Sequence, residues 1–316
     1  GVAMKSQLIL GLSIGWLTVL GGCGPTTEEK GEYEKAIKDY RKAIGLGTAA
    51  AHAWKKRGRA YSKKGDYDQG FKDHSEAIKL RPGYAGAWFS RGRAYQNAGD
   101  HDQAIRDYSK AIGLSTGSAI AFTNRSQAYQ TKGDYDQAIK DCNEAIRVKP
   151  DYVYAWRTRG IAYFKKGDYD QAIKDCNEVI RLASDPDRAS CWNLRGWAYS
   201  KKGDHDQAIK DYSKAIKVYP RSALTWYERG FVYGNKGEYD QAIKDYSEAI
   251  KLDKVQAGWP WPGNAVIWNS RGDAYRKLGN EAKAKADFLK AKELFLKAEE
   301  IRLKVEEFEA KAKGKP

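Results

Sequence analysis

The stretch WRTRGIAYFKKGDYDQAIKDC, residues 156–176, holds both halves of a unit that recurs along most of the chain. Its opening is an aromatic residue followed three positions later by Arg, four later by Gly or Ser, and seven later by Tyr. The copies are Trp54/Arg57/Gly58/Tyr61, Trp88/Arg91/Gly92/Tyr95, Phe122/Arg125/Ser126/Tyr129, Trp156/Arg159/Gly160/Tyr163, Trp192/Arg195/Gly196/Tyr199, Trp226/Arg229/Gly230/Tyr233 and Trp268/Arg271/Gly272/Tyr275. Their spacings are 34, 34, 34, 36, 34 and 42 residues. A fixed period near 34 marks a helical solenoid, in which each repeat buries its apolar face only against its neighbours. Such a chain is expected to present a binding surface rather than a catalytic centre.

The closing half reads Gly-Asp-Tyr/His-Asp-Gln-Ala-Ile-Lys/Arg-Asp-Tyr/Cys, as in Gly99 to Tyr108 and Gly133 to Cys142. Glycine stands where a first helix must stop, because it takes the left-handed conformation without steric cost. Asp66, Asp100, Asp134, Asp168 and Asp204 follow as N-caps of a second helix, with Gln three residues on in capping-box spacing. The apolar residues after that keep helical spacing: Ala138, Ile139, Cys142, Ala145 and Ile146. Pro82, Pro150 and Pro220 end the unit, since proline cannot continue a helix.

This pattern resembles the tetratricopeptide repeat family, whose motif runs large aromatic, Leu/Arg, Gly, Tyr, Ala, aromatic, Ala, Pro. Repeat five carries Trp192, Gly196, Tyr199, Ala208, Tyr212, Ala215 and Pro220; repeat one departs with Gly70 where Ala is usual. The resemblance implies an all-α, right-handed superhelical solenoid of seven full repeats over residues 51–294. A half repeat over 31–47 precedes it, because Gly31 to Tyr40 matches a second helix whose first helix is missing. A long C-terminal amphipathic helix is expected from Asn280 to Lys313, with 295–316 extending the last repeat. Its apolar stripe either caps the open end of the stack or joins two copies.

The first residues are of another kind. Met4 is the only methionine, so Gly1 to Ala3 read as a vector remnant or an extended start, and residues 1–22 as a leader. Lys5 is followed by an apolar run from Leu8 to Leu20, shorter than the about 20 residues a membrane span needs. The ending Leu20-Gly21-Gly22-Cys23 resembles the bacterial lipobox, in which the cysteine is diacylglycerated and becomes the first residue. Cys23 would then be the lipidation site, residues 23–30 a short tether, and the protein an envelope lipoprotein facing the periplasm or exterior. In a Gram-negative cell, Gly24 lacks the aspartate associated with inner-membrane retention, which favours the outer membrane. The plainer reading is a secretion signal or anchor with a coincidental cysteine.

Without Lys5 the chain carries 55 basic against 41 acidic residues, a net of +14. Many lysines fall at the turn inside each repeat: Lys63, Lys64, Lys132, Lys165, Lys166, Lys201, Lys202 and Lys236. Stacked turns would make a lysine edge, either a solvated face or a surface for anionic lipid, glycan or protein. The repeated Arg is followed 16 residues later by Asp73, Asp107, Asp141, Asp175, Asp211, Asp245 or Asp287, which reads as a structural ion-pair ladder. Cys142 and Cys176 share one core position in successive repeats and are expected as buried thiols rather than a disulfide. No spacing suggests zinc or calcium, and no catalytic or phosphate-binding motif appears. Neither a cofactor nor a metal is expected, nor is nucleic acid, which an exported lipoprotein would not meet.

In tetratricopeptide solenoids the first helices line an inner groove. The resemblance places Lys55, Arg59, Arg93, Asn124, Gln127, Tyr154, Arg157, Trp197, Tyr227 and Phe231 along it, grading from basic to aromatic. The alternative for the large residues is packing between neighbouring first helices. The family's two-carboxylate clamp does not transfer: Asn124 stands at its middle position, but Phe89 and Arg93 before it and Tyr154 and Thr158 after it do not fit. The insertion behind the 42-residue spacing places Trp259 and Trp261 between prolines, as an accessory contact or as packing on the last repeat.

Together these readings describe a non-enzymatic, membrane-tethered adaptor that binds an extended, acidic peptide segment of an envelope protein. A glycan or cell-wall binder using the lysine edge is the alternative, and the oligomeric state is open. Cys23→Ala should abolish lipid attachment and processing at that bond; mass spectrometry finding an unmodified Cys23 in membrane-fraction wild type would refute the assignment.

Overall fold

A computed structural model describes residues 27–45, 50–115, 117–255 and 262–313. Cys23 and the rest of the leader, and Trp259 and Trp261, lie outside the described residues. Every regular element among those described is helical. They fall into two compact units, divided after Leu182.

The N-terminal unit holds α1 (Thr27–Gly45), then four helix pairs: α2 (Ala50–Lys64) with α3 (Tyr67–Leu80), α4 (Ala85–Asn97) with α5 (His101–Leu114), α6 (Ala119–Thr131) with α7 (Tyr135–Val148), and α8 (Val153–Lys166) with α9 (Tyr169–Leu182). The C-terminal unit holds three: α10 (Asp185–Lys202) with α11 (His205–Val218), α12 (Ala223–Asn235) with α13 (Tyr239–Val255), and α14 (Pro262–Lys277) with α15 (Glu281–Lys313). Within a unit each helix packs on the next, and successive first helices also touch one another. The half repeat is α1, which begins at Thr27 and so takes in part of the segment expected as tether. The long terminal helix is α15; its apolar residues Leu289, Phe295, Leu296, Ile301 and Leu303 are exposed.

Local chemistry sets the helix boundaries. Gly167 closes α8 at φ 92° and Gly203 closes α10 at φ 82°, a region where any side chain would be strained. Asp66, Asp100, Asp134, Asp168 and Asp204 then accept a hydrogen bond from the backbone N–H of the Gln three residues on, at 3.0–3.2 Å. Prolines at the repeat ends have a second task. The Trp88, Trp156 and Trp226 indoles each donate to the carbonyl of the proline six residues earlier, at 2.8–2.9 Å.

The Arg/Asp spacing of 16 is an ion-pair ladder present in all seven repeats. In each, Arg Nε and Nη2 donate to the two carboxylate oxygens of one Asp; in repeat three Arg125 meets Asp141 at 2.8 and 2.6 Å. The aspartates are buried and the arginines nearly so. The guanidinium also lies over the aromatic residue that opens its repeat, as with Arg57 over Trp54 at 4.5 Å and Arg271 over Trp268 at 4.6 Å. In at least five repeats Nη1 reaches back to the preceding one: Arg91 to Ser75, Arg125 to Ser109, Arg159 to Asn143, Arg229 to Ser213 and Arg271 to Ser247. One side chain thus closes its own helix pair and fastens it to its neighbour.

Gly92, Gly196, Gly230 and Gly272 let a ring from the second helix lie on the first. A Cβ at Gly196 would meet the Tyr212 ring at 2.8 Å, and one at Gly272 would meet Phe288 at 2.7 Å. Repeat three replaces both partners: Ser126 stands opposite Cys142, Oγ to Sγ at 3.1 Å. Cys142, Cys176 and Cys191 are buried free thiols, as expected for the first two, and burial pushes the Cys142 thiol up to about 12. Repeat one places His74 against Gly58, fully buried, with neither ring nitrogen hydrogen-bonded.

The turn lysines contribute less free charge than the sequence suggests. Lys64 binds Glu34, Lys132 binds Asp102, Lys166 binds Asp136 and Lys236 binds Asp206, each partner lying 30 residues earlier in the preceding repeat. Exposed pairs of this kind contribute about 0–1 kcal/mol each, so they tune the stacking rather than cause it.

Removing one member of a ladder pair strands the other. Arg125→Met should cost about 3 kcal/mol in urea unfolding, and Arg125→Met with Asp141→Leu less than that. His74 sets an acid limit. Burial, with repulsion from Arg91 and Lys55, pushes it down to about 4, so between its ordinary 6.5 and about 4 the unfolded chain binds a proton that the folded chain refuses. Stability from this group is present above 6.5 and drains as the pH falls. His74→Phe, which copies the Phe288 arrangement, should therefore narrow the loss of melting temperature between about pH 7 and about pH 5.

Candidate functional site

The first helices of each unit carry the residues expected to line a groove, and the two units present different chemistry. In the N-terminal unit Arg59 on α2 and Arg93 on α4 are exposed, one repeat apart. Lys55, half-buried, holds its Nζ 4.9 Å from the centre of the Tyr84 ring, and His52 shares a 3.0 Å hydrogen bond with the Tyr84 hydroxyl. Desolvation, then Lys55 and Lys56, holds the His52 imidazole below its usual range.

Asn124 and Gln127 on α6 are half-buried and partly engaged in local bonds. Asn124 Nδ2 donates to the Ile120 carbonyl at 2.8 Å. A side-chain chain runs from Tyr108, whose hydroxyl donates to Gln96 Oε1 at 2.7 Å, to Gln96 Nε2, which reaches Gln127 Oε1 at 3.5 Å. On α8 Tyr154 is 44% exposed, with the Arg157 guanidinium 4.2 Å from its ring centre. This stack is a flat cationic and aromatic platform suited to planar, anionic or aromatic groups.

In the C-terminal unit the expected aromatic anchors are in large part core. Trp197 is 5% exposed and Tyr227 6%, against 36% for Phe231. Tyr227 packs at 5.8 Å from Tyr246 in a cluster with Ala242, Ile250 and Ile267. Trp197 and Tyr227 therefore pack between helices instead of standing open as ligand anchors, and Phe231, with its ring 6.4 Å from Tyr227, is left as the accessible ring. Ile161 and Thr123, at inward positions of the N-terminal unit, are buried for the same reason.

One residue on this face went unread in the sequence. Glu228 is half-buried on α12. Burial pushes its carboxyl up to about 7, against the opposing effects of the Trp197 indole and the Lys201 charge. The signal was available: at the positions two before and one, two and five after each repeat-opening aromatic, the acids are Glu228 and Asp273. Among the described residues no His, Cys, Asp or Glu cluster could hold a metal ion.

Tetratricopeptide repeat models match residues 28–73, 85–115, 151–221, 223–254 and 265–297, and a model described as TPR repeat matches 127–167. No curated protein matches the chain. Similar solved structures include the APC/C hetero-tetramer Cut9-Hcn1 (20% identity, TM-score 0.60, 78% of this chain and 47% of that one). This chain thus spans less than half of that protein. A tetratricopeptide repeat protein from Parabacteroides merdae follows (18%, 0.59, 77% and 93%), with the C-terminal part of a TPR repeat-containing protein from Cytophaga hutchinsonii (18%, 0.58, 71% and 91%). At these identities the structures speak for the fold alone. With repeat models covering most of residues 28–297, and the Arg–Asp pair, the ring on glycine and the Asp cap recurring from pair to pair, the chain belongs to the tetratricopeptide repeat family.

Proposed function

We propose that this tetratricopeptide protein is a non-enzymatic scaffold of a bacterial cell envelope, held to a membrane by lipid on Cys23, which binds an extended acidic segment of a partner protein. The first-helix face of the N-terminal unit is the docking surface. The observation that carries the reading is the pair Arg59 and Arg93, exposed on successive first helices, flanked by Lys55 and by the Tyr154–Arg157 stack. Cations spaced by one repeat along parallel helices suit carboxylates distributed along a strand-like peptide. The exposed ring of Tyr154, two repeats beyond Arg93, offers a seat for an apolar side chain.

The tether rests on the Leu20 to Cys23 ending, and among the described residues no helix is long and apolar enough to cross a membrane. A glycan reading depends on a free lysine edge, and the ion pairs at Lys64, Lys132, Lys166 and Lys236 draw charge away from it. Peptide docking is the better supported of the two.

A crosslinking pull-down with the native lipoprotein supplies the partner for kinetics. Arg59→Glu with Arg93→Glu should slow association about tenfold at low salt and flatten its salt dependence, while the dissociation rate changes little. Tyr154→Ala should act oppositely, raising the dissociation rate with association near wild type. Surface plasmon resonance reads both. Wild-type kinetics in both variants would move the site elsewhere.

A further inference from the structure

The last helix outruns the stack it belongs to. Toward α14 it turns Ala284, Asp287, Phe288 and Ala291; Asp287 takes the bond from Arg271, Phe288 lies on Gly272, and Ala284 and Ala291 are buried. From Ala291 the helix continues to Lys313, about 33 Å further. The apolar spacing does not stop with the packing: Leu294, Ala298 and Ile301 follow, then Val and Phe at positions 305 and 308. Steps of 3, 4, 3, 4 and 3 residues from Ala291 make a seam of period 3.5, the pattern that pairs one helix with another. Ile301 on this seam is 42% exposed and Phe295 at its edge 51%. Leu289, Leu296 and Leu303 are exposed on the opposite side, but Glu293 and Glu300 stand three residues before the last two, where a pairing seam needs an apolar side chain.

Charge along the free length identifies what covers the seam. Residues 290–297 carry Lys290, Lys292 and Lys297 against Glu293, a net of +2. Residues 299–309 carry Glu299, Glu300, Glu306, Glu307 and Glu309 against Arg302 and Lys304, a net of −3. Inside the helix Lys290 and Lys297 share Glu293, and Glu299 and Glu306 share Arg302, so each cluster keeps the sign of its stretch. The complement of a helix that runs from basic to acidic is a helix that runs from acidic to basic. This helix, reversed, meets that requirement along the same seam. A parallel partner would set like charge on like, and would meet α14, which already covers the face up to Ala291.

We infer that the free half of α15 pairs in antiparallel fashion with α15 of a second copy of this chain, so that the protein is a dimer. The interface is isologous, the same patch on both copies, with Ile301 near the two-fold axis. Overlap of residues 293–309 gives about 25 Å of paired helix, with each basic stretch beside the partner's acidic one. Each stack of helix pairs then stands at its own end of the paired segment. The dimer is independent of the peptide surface on the N-terminal unit.

Sedimentation equilibrium on the full chain in density-matched detergent reads the assembly. Wild type should be a dimer, and Ile301→Lys should raise its dissociation constant about a hundredfold, since one substitution removes two seam isoleucines. Leu296→Lys, on the opposite side of the helix, should leave the dimer as it is. A monomer at the highest soluble concentration overturns the proposal, as does a dimer unmoved by Ile301→Lys or one lost equally in Leu296→Lys. Urea unfolding at a dilution where every variant is monomeric should give Ile301→Lys the wild-type midpoint. A clear fall there would assign the seam to the chain's own stack and overturn the pairing. Orientation is read by zero-length carbodiimide crosslinking of a mixture of light and heavy-isotope chains. Links between chains should join residues 290–297 of one copy to residues 299–309 of the other; links joining a stretch to its own counterpart overturn the antiparallel arrangement.

Discussion

Each repeat depends on one guanidinium held in a fixed place. Its two forward donors grip a buried aspartate, its plane lies against the aromatic residue that opens the repeat, and in most repeats a third nitrogen crosses to the preceding pair. A buried carboxylate alone would be costly, and a buried arginine more so; together, with Nε and Nη2 on the two carboxylate oxygens, they fix the angle between two helices. Apolar residues alone would let these alanine-rich surfaces slide. Once that angle is set, the ring-on-glycine contact has a defined depth and the first helices meet one another side by side.

Because the first helices are held by their own second helices, their inner faces are free to vary. The N-terminal unit uses that freedom for cations, and the C-terminal unit for a ring and the carboxyls of Glu228 and Asp273. Function on this scaffold is a matter of which side chains the stack leaves unmatched. Tyr212 is the clearest case: nothing about the tyrosine changed, but the glutamine that would satisfy it is a serine in its repeat.

What could be read from the sequence follows from what repeats. The helix pairs, the Asp caps and the 16-residue Arg/Asp partnership recur at fixed spacing and were plain before any coordinates. Burial of Trp197 and Tyr227 was not, because a register position gives the direction of a side chain and not the size of what stands opposite. Trp197 spans the space to Glu228 on the next first helix, and Tyr227 fills the gap to Tyr246. The ion pairs along the lysine edge were hidden for a similar reason: the partners of Lys64, Lys132, Lys166 and Lys236 lie in the preceding repeat, at a separation of 30 residues that no single repeat displays. His74 carries no signal in the sequence; only its neighbours show that neither ring nitrogen has a partner.

The pairing of Ser126 with Cys142 bears on how such a chain can be rearranged. Near-identical repeats invite unequal crossing-over, and the Gly-Asp turn between the two helices is the most uniform stretch at which strands of a gene could exchange. A crossover there that joined the first half of repeat three to a second half bearing tyrosine would set a serine Cβ where the ring must lie, within the 2.8–3.0 Å at which Gly92, Gly196 and Gly230 have no atom to offend. The reciprocal product, glycine facing cysteine, is already present as Gly160 and Cys176. Recombination inside a repeat is thus filtered by direction, whereas exchange at the boundaries between repeats keeps each small-large pair intact. Copy number in this chain can change more freely than the internal make-up of any copy.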